Sequence, residues 1–296
     1  MNNYWSKYVQ TSEELYFSRA LRFNDGNFDS LNKVMGLTDG MKILETGCAG
    51  GQLCHLIKKN LPSCDVTGVD LDSGHIEFAK NKTKELSIDC KFLEADALSL
   101  PFEENSFDAC YSHTVINFCD AEKFIAEHKR VLKKGGRLIV MNVHNMPVGN
   151  EAWVPDVPSE EKELFDRLWS KASENPLSEI KRYGGGVPCY AGVMEKQGFE
   201  NISIDVFSTV KYCPDFANVT EKVAVMQIND DRLSELSSVV KARALAPNVL
   251  TEEEFSQLVQ LINERFDEKI ERYRQGKKSY EYRVSAVYVL SGVKSL

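Results

Sequence analysis

The sequence lacks several features that would assign it to a special class of protein. No uninterrupted apolar run approaches the roughly 20 residues that span a bilayer, so we expect no membrane insertion. The first residues carry no basic segment followed by an apolar run, which predicts a cytoplasmic protein without a signal peptide. The chain also has fewer Lys and Arg residues (36) than Asp and Glu residues (44). The net charge of −8 argues against a nucleic-acid partner, because neutralising phosphates requires clustered Lys and Arg.

Cysteine is plentiful but lacks the spacing of a metal site. The chain has eight cysteines and no Cys-x-x-Cys pair. Several of them, such as Cys90 and Cys110, fall inside apolar runs. We therefore predict reduced, buried thiols that act as small hydrophobes, and no bound metal.

The most informative stretch is KILETGCAGGQ, residues 42–52. An apolar strand ends at Glu45, and a glycine-rich turn then opens onto a predicted helix. Gly47 can take the positive φ of a tight turn, and Gly51 lets the backbone approach a ligand closely. The free N–H groups at the start of such a helix suit a polar ligand.

From residue 41 to 145, apolar strand runs alternate with helical segments. Near-continuous apolar strands separated by helices predict an α/β fold, a mostly parallel sheet with helices on both faces. Two later strands bring the predicted total to seven. The predicted strands are 43–45, 66–70, 91–95, 107–112, 137–143, 202–210 and 282–292. The helices between the first five are 51–60, 73–86, a short one at 97–100, and 121–132, with a turn at 134–136.

Acids follow the second and third predicted strands. Asp70 lies 25 residues after Glu45, and a carboxylate there can accept hydrogen bonds from both hydroxyls of a ribose. The alternative role for Asp70 is a helix N-cap, although Asp72 is better placed for it. Asp96 follows the third strand, where the alternative role is that of a surface turn residue.

The spacing of residues 45–51, Glu-x-Gly-x-Ala-x-Gly, distinguishes between two kinds of nucleotide site. A dinucleotide fingerprint would require glycine where the chain has Ala49 and Gln52. The spacing instead resembles the first motif of the class I S-adenosylmethionine (SAM) dependent methyltransferases, in which position 49 is usually glycine. Residues 41–145 as a whole are similar to the small-molecule methyltransferases of this family, such as the quinone-biosynthesis group.

The resemblance implies a Rossmann-like fold and a site for SAM, with S-adenosylhomocysteine as product. Asp70 would then bind the ribose, Asp96 the adenine amino group, and the backbone of Ala97 the adenine ring. Ser112 and His113 would lie near the methionine moiety. The implied cofactor-binding residues are Glu45, Gly47, Cys48, Ala49, Gly51, Asp70, Leu71, Asp96, Ala97 and Ser112.

The resemblance is only loose outside residues 41–145. Residues 1–40 are predicted to form two helices, 12–23 and 28–35. These helices either pack on the core with Tyr16, Arg19 and Arg22 keeping their charges or polar groups in solvent, or form a flap over the ligand. We predict a core over 41–210, a helical insertion over 211–279 and the last core strand within 280–296. The insertion helices are 215–226, 231–244 and 251–274, and they would form a substrate cap or a homodimer interface.

Candidate residues for the chemistry lie at the ends of strands four and five. His113 ends the fourth strand and His144 follows the fifth, so either imidazole could serve as a general base or simply line the pocket. Tyr16, Trp153 and Tyr183 are candidate substrate-binding residues.

The function that these observations favour is methyl transfer from SAM to a small-molecule acceptor by in-line SN2 displacement. A protein or RNA methyltransferase is an alternative, although the acidic net charge counts against RNA. A non-catalytic SAM-binding protein is a second alternative. Cys189 and Cys213 raise a third, a thiol or arsenical methyltransferase, without a spacing that supports it.

Overall fold

The structure is a computed structural model, and it divides the chain into two compact units. The first comprises Met1–Met146, Lys181–Thr209 and Ser285–Leu296, and the second comprises Pro147–Ile180 and Val210–Val284. The unit that contains the predicted insertion therefore also includes the segment after the fifth strand. The structure describes residues 5–6, 10–144, 150–151, 157–174, 186–217 and 219–296.

The described residues form strands at most of the predicted positions. The strands are β1 Lys42–Thr46, β2 Asp65–Asp70, β3 Lys91–Glu94, β4 Phe107–His113, β5 Leu132–His144, β6 Asn150–Glu151, β7 Phe199–Tyr212 and β8 Tyr282–Lys294. The helices are α1 Ser12–Arg22, α2 Phe28–Met35, α3 Gln52–Asn60, α4 Ser73–Leu86, α5 Ala121–Val131, α6 Ser159–Ala172, α7 Gly186–Lys196, α8 Glu221–Leu245 and α9 Glu252–Arg274.

The sheet of the first unit has the predicted mixed architecture. Its strands are ordered β3-β2-β1-β4-β5-β8, and β7 pairs with β8. Strands β1 to β5 pair in parallel, and β8 runs antiparallel to β5. Without the two-residue β6, which belongs to the second unit, this is a seven-stranded, mostly parallel sheet. The predicted fold class is thus confirmed.

Two hydrophobic cores lie on opposite faces of this sheet. Ile43 of β1 and Tyr111 of β4 belong to one core, and the adjacent Leu44 and Cys110 belong to the other. Successive side chains of a strand point to opposite faces, so these alternating assignments place helices on both sides of the sheet. Helices α2, α3 and α4 contribute to the first core, and α5 and α7 contribute to the second.

Two predictions within the core were wrong in detail. Residues 97–100 form a turn closed by a bridge between Asp96 and Ser99 rather than a short helix. The Asp96 side chain accepts the N–H of Leu98 at 2.8 Å, and this local bond competes with a helical one. The turn predicted at 134–136 lies within the bounds of β5, at an irregularity where the pairing with β4 shifts register between Leu132 and Arg137 and Gly135 has a φ of +74°.

The second unit is helical and has its own core. Residues of α6, α8 and α9 bury one another around Ile228, Ile262 and Phe266. The predicted capping box of Thr251 and Glu254 is present at the start of α9. The prediction of two separate helices over 215–226 and 231–244 was wrong. The structure has one helix there, α8, which begins only at Glu221 and continues to Leu245, since residues 221–245 contain no glycine or proline to interrupt it.

No helix among the described residues is long and apolar enough to cross a membrane.

Candidate functional site

A cavity of about 440 Å³ opens in the first unit where four parallel strands end. Residues that follow β1, β2, β3 and β4 line it, and open α/β sheets bind their ligands at this edge. Several predicted site residues come together here. Those that line the cavity are Gly47, Ala49, Asp70, Leu71, Asp96, Ala97 and His113.

The turn after β1 forms one wall and has unusual backbone geometry. Gly47, Ala49 and Gly51 all have positive φ, at +68°, +47° and +77°. A side chain at position 47 would come within 2.2 Å of Val115, so the close approach there requires glycine. For Ala49 this conformation costs about 1–2 kcal/mol. The turn must therefore be held in place by contacts with its surroundings.

Asp70 provides part of that support. Its Oδ2 accepts the N–H of Ala49 at 2.8 Å, and its Oδ1 accepts the N–H of Asp72 at 2.9 Å. Each carboxylate oxygen has a further lone pair, and Asp70 lines the cavity. The carboxylate can thus fix the turn and also accept two hydrogen bonds from a ligand.

The part of the cavity wall next to Asp70 is mainly apolar and contains one further acid, Asp96. Leu71 is 60% exposed although the adjacent Asp72 is buried, and it gives the cavity an apolar surface. Trp5 and Phe118 also line the cavity, with their ring centroids 5.0 Å apart in an edge-to-face arrangement. Asp96 and the backbone of Ala97 lie on this side. This composition suits a flat, polar-edged ring.

Arg19 of α1 lies against the turn, and sequence analysis did not identify it as a site residue. It donates hydrogen bonds to the carbonyls of Cys48 at 2.9 Å and Gly47 at 3.4 Å, and it lines the cavity. Its exposed fraction is only 7%, so the expectation that its charge is solvated was wrong. No local pattern reveals such a contact, because it joins residues 28 and 29 positions apart.

Glu45 lies beneath the turn and does not line the cavity. Its Oε2 accepts hydrogen bonds from the Cys54 thiol and the Tyr111 hydroxyl, both at 2.9 Å. Its Oε1 has no hydrogen-bond partner in the described part of the chain and lies 3.8 Å from Arg19. Complete burial raises the pKa of Glu45 to about 7, although the nearby Arg19 charge opposes this shift.

This raised pKa predicts a pH-dependent stability. Between pH 4.5 and about 7 the folded chain binds a proton at Glu45 that the unfolded chain has lost. The stabilisation is therefore complete below pH 4.5 and is lost as the pH rises through about 7. We expect the native protein to lose roughly 3 kcal/mol relative to a Glu45→Gln variant across this window. Urea unfolding of both proteins at several pH values measures it, and a pH-independent difference would contradict the raised pKa.

Two buried histidines line the cavity with unpaired nitrogens. His113, at the end of β4, is 3% exposed, and neither of its ring nitrogens has a partner within the described chain. His75, on the first turn of α4, is 2% exposed. Its Nδ1 lies 2.8 Å from the Ser12 hydroxyl, whereas its Nε2 has no partner there. Burial lowers the pKa of both imidazoles, that of His113 well below its usual value, so both are neutral at pH 7.

The remaining predicted residues lie elsewhere. Cys48 and Ser112 are buried and Gly51 is the N-cap residue of α3, and none of the three lines the cavity. Tyr16 contacts His55 and Phe78 and is also not part of the lining. His144 is the last residue of β5, but its side chain lies outside the described residues. Trp153 and Tyr183 also lie outside them.

The polar groups that line the cavity fit the adenosyl group of SAM. Asp70 offers two acceptors for ribose hydroxyls, and Asp96 and the Ala97 backbone offer polar groups beside an apolar wall. The unpaired nitrogens of His75 and His113 need a polar partner, because an unsatisfied buried group is costly. Among the described residues, no group of three or more His, Cys, Asp or Glu could hold a metal ion.

Comparison with known proteins agrees with this geometry. Residues 44–140 match the model of a family described as "Methyltransferase domain". A demethylmenaquinone methyltransferase of Thermus thermophilus is 37% identical over 109 residues, which are 36% of this chain and 50% of that protein. The chain thus matches about half the length of this relative. One from Staphylococcus aureus is 34% identical over 182 residues, 60% of this chain and 75% of the relative.

A solved structure supports the fold. The phosphoethanolamine N-methyltransferase 2 of Haemonchus contortus, in complex with phosphomonomethylethanolamine and S-adenosylhomocysteine, superposes with a TM-score of 0.56. The match covers 100% of this chain and 60% of that one at 16% identity, so it informs on the fold alone. The family assignment rests on the Staphylococcus aureus relative, because the match covers 75% of that protein at 34% identity. This chain belongs to the class I SAM-dependent methyltransferases.

Proposed function

We propose that this protein transfers the methyl group of SAM to a small-molecule acceptor. The observation that carries the proposal is the shared cavity, in which Asp70, Asp96 and the turn at 47–51 meet at the ends of four strands. Relatives named demethylmenaquinone methyltransferase support a partly apolar acceptor, such as a reduced quinone. The acidic net charge does not favour a nucleic acid.

When bound, SAM supplies a methyl group activated by a sulfonium, so the reaction is an in-line SN2 displacement and the protein mainly aligns the reactants. Asp70 and Asp96 hold the adenosine. Arg19 and Asp70 together hold the turn after β1. The imidazole of His113, at the end of β4, can accept a hydrogen bond from the nucleophile and orient it, because its lowered pKa keeps it neutral. Trp5, Leu15 and Phe118 exclude water from the cavity.

Two measurements test the proposal in sequence. Calorimetric titration should show that the protein binds SAM and S-adenosylhomocysteine but does not bind NAD. Incubation with methyl-labelled SAM and a panel of reduced quinones, phenols and amines should then release labelled product with at least one acceptor. Binding of NAD alone would overturn the assignment of the cofactor. Tight binding of SAM without turnover on the panel or on cell extract would favour a non-catalytic SAM-binding protein.

A further inference from the structure

The end of α9 concentrates positive charge in an otherwise acidic chain. Residues 272–280, RYRQGKKSY, contain four cations and no acid, whereas the net charge of the whole chain is −8. The four cations are Arg272, Arg274, Lys277 and Lys278, and we refer to them as the basic patch. We propose that the basic patch and the neighbouring rings of Phe216 and Tyr280 bind the surface of an anionic lipid membrane. All of these residues belong to the second unit, so this binding does not depend on the proposed methyl transfer.

Most of the basic patch is exposed to solvent. Residues 274–278 are all exposed, and Arg272 is half-buried. Arg274 lies 3.5 Å from Glu221, but both side chains remain more than half exposed. An exposed ion pair of this kind contributes little to stability, so the guanidinium can exchange this partner for another anion. The charges of the basic patch are therefore accessible to a large anionic surface.

A second run of cations in the first unit is arranged differently. Residues 129–137 contain five cations and no acid. Lys129 donates a hydrogen bond to the carbonyl of Gln197, and Lys133 pairs with Asp108 at 2.8 Å. These cations thus stabilise contacts within the first unit, whereas the basic patch presents its charges to solvent.

Two exposed aromatic rings lie beside the basic patch. Phe216 is 37% exposed and Tyr280 is 52% exposed, and their ring centroids lie 5.8 Å apart in an edge-to-face arrangement. The ammonium group of Lys278 lies 5.5 Å from the centroid of the Tyr280 ring. Aromatic rings are favoured at the level of the lipid headgroups, where an apolar ring body meets a polar surface. Cations and rings on one surface therefore match both the charge and the apolar interior of an anionic bilayer.

Asp215 fixes the loop that presents the Tyr280 ring. Its Oδ2 accepts hydrogen bonds from the N–H and the hydroxyl of Ser279, both at 2.8 Å, and from the N–H of Tyr280 at 3.0 Å. These bonds support a φ of +50° at Tyr280, which is uncommon for a bulky side chain. The ring is therefore ordered at the surface before any lipid binds, which reduces the entropy that binding costs.

An open groove with a volume of about 500 Å³ joins the cations to the apolar surface. Arg274, Lys278 and Phe216 are among the residues that line it. Two cations beside an apolar wall suit a phosphate group that is attached to an apolar chain. Two acids also line the groove, but Glu221 lies beside Arg274 and Asp215 is occupied by the loop.

The distribution of charge favours a membrane over a nucleic acid. A nucleic acid gains affinity by contacting cations at many successive phosphates, whereas the basic patch is one short segment beside apolar rings. The acidic remainder of the chain repels any polyanion, but salt screens this repulsion beyond about 8 Å at physiological ionic strength. A membrane also concentrates partly apolar molecules, the class of acceptor proposed above.

Sedimentation of the protein with lipid vesicles tests the proposal. The protein should sediment with phosphatidylcholine vesicles that contain about 30% phosphatidylglycerol, but not with phosphatidylcholine alone. The double variant Lys277→Gln/Lys278→Gln should bind the anionic vesicles roughly 10- to 30-fold more weakly, because each cation contributes a factor of about five. Tyr280→Asn keeps a residue that tolerates the positive φ and should weaken binding roughly 3- to 10-fold through loss of the ring.

The double variant Lys162→Gln/Lys171→Gln on α6 provides the matched control. Both side chains are exposed, and the change removes the same two charges from the same unit. Arg167, between them, pairs with Glu254 on the first turn of α9, at the other end of that helix from the basic patch. The control should therefore change vesicle binding by less than about twofold.

Several results would overturn the proposal. Equal binding to both kinds of vesicle, or an equal loss in the control, would show that the basic patch does not recognise anionic lipid. Binding to a single-stranded RNA but not to the vesicles would assign the patch to a nucleic acid, and binding to neither would leave it without a polyanionic partner. Titration with S-adenosylhomocysteine reports on the proposed function separately, and Lys277→Gln/Lys278→Gln should leave that affinity unchanged.

Discussion

Replacing Asp70 by Asn is expected to weaken binding of S-adenosylhomocysteine roughly 100-fold. The estimate assumes that two ribose hydroxyls each donate to the charged carboxylate, at about 1.5 kcal/mol per bond. The variant also weakens the acceptor for the N–H groups of Ala49 and Asp72, so the strained turn after β1 loses support. Calorimetric titration measures the affinity, and circular dichroism establishes that the variant is folded.

Asp65 at the other end of the same strand provides the control. Its side chain is 45% exposed and pairs with Lys91 at 2.9 Å, and it does not line the cavity. Asp65→Asn removes the same charge from the protein, so it should change the affinity by less than about twofold if long-range electrostatics contribute little. An Asp70→Asn variant that bound the ligand as tightly as Asp65→Asn would show that this carboxylate does not hold the ribose.

Replacing Gly51 by Ala should destabilise the fold by about 2–5 kcal/mol. The φ of +77° costs an L-residue about 1–2 kcal/mol. The added Cβ would also lie 2.5 Å from the ring of Phe92, and such overpacking costs about 1–3 kcal/mol more. For a chain of this size, thermal unfolding should shift down by roughly 5–15 °C.

Two further variants separate these two costs. Gly40 has a φ of +87° and no atom within 4 Å of an added Cβ, so Gly40→Ala should show the backbone cost alone. The variant Phe92→Leu replaces the facing ring by a smaller side chain and should relieve the overlap. Gly51→Ala should therefore destabilise the Phe92→Leu protein less than it destabilises the native protein. Equal losses for Gly40→Ala and Gly51→Ala would exclude the steric contribution.

The sequence predicted best those parts of the fold that local patterns determine. The bounds of α2 and α4 match their predicted residues, since Gly36 ends α2 in a left-handed conformation and Asp72 caps α4. Strands β1 to β5 were found because buried parallel strands have continuous apolar runs. The seven predicted site residues of the cavity came from the family motifs, which lie at the strand ends.

The parts that could not be predicted depend on long-range contacts. Arg19 looked like a solvated charge on an amphipathic helix, and only the folded chain brings it onto the turn after β1. His75 looked like an ordinary residue of a helix, because a buried imidazole with one unpaired nitrogen has no local signature. The predicted break in α8 was also wrong, and here a long-range contact adds to the absence of glycine and proline. Three of the four residues at 227–230 are polar, yet Gln227 is buried and accepts the N–H of Cys213.

The separation of the hydrophobic cores has a consequence for how this protein can change during evolution. Every cavity-lining residue of the described chain belongs to the first unit, whereas the second unit buries its apolar side chains around its own centre. Substitutions of apolar residues in one unit then act first on the packing of that unit's own core. The helical unit can therefore change its apolar residues without replacing any residue that lines the cavity, so the two halves of the chain can diverge at different rates.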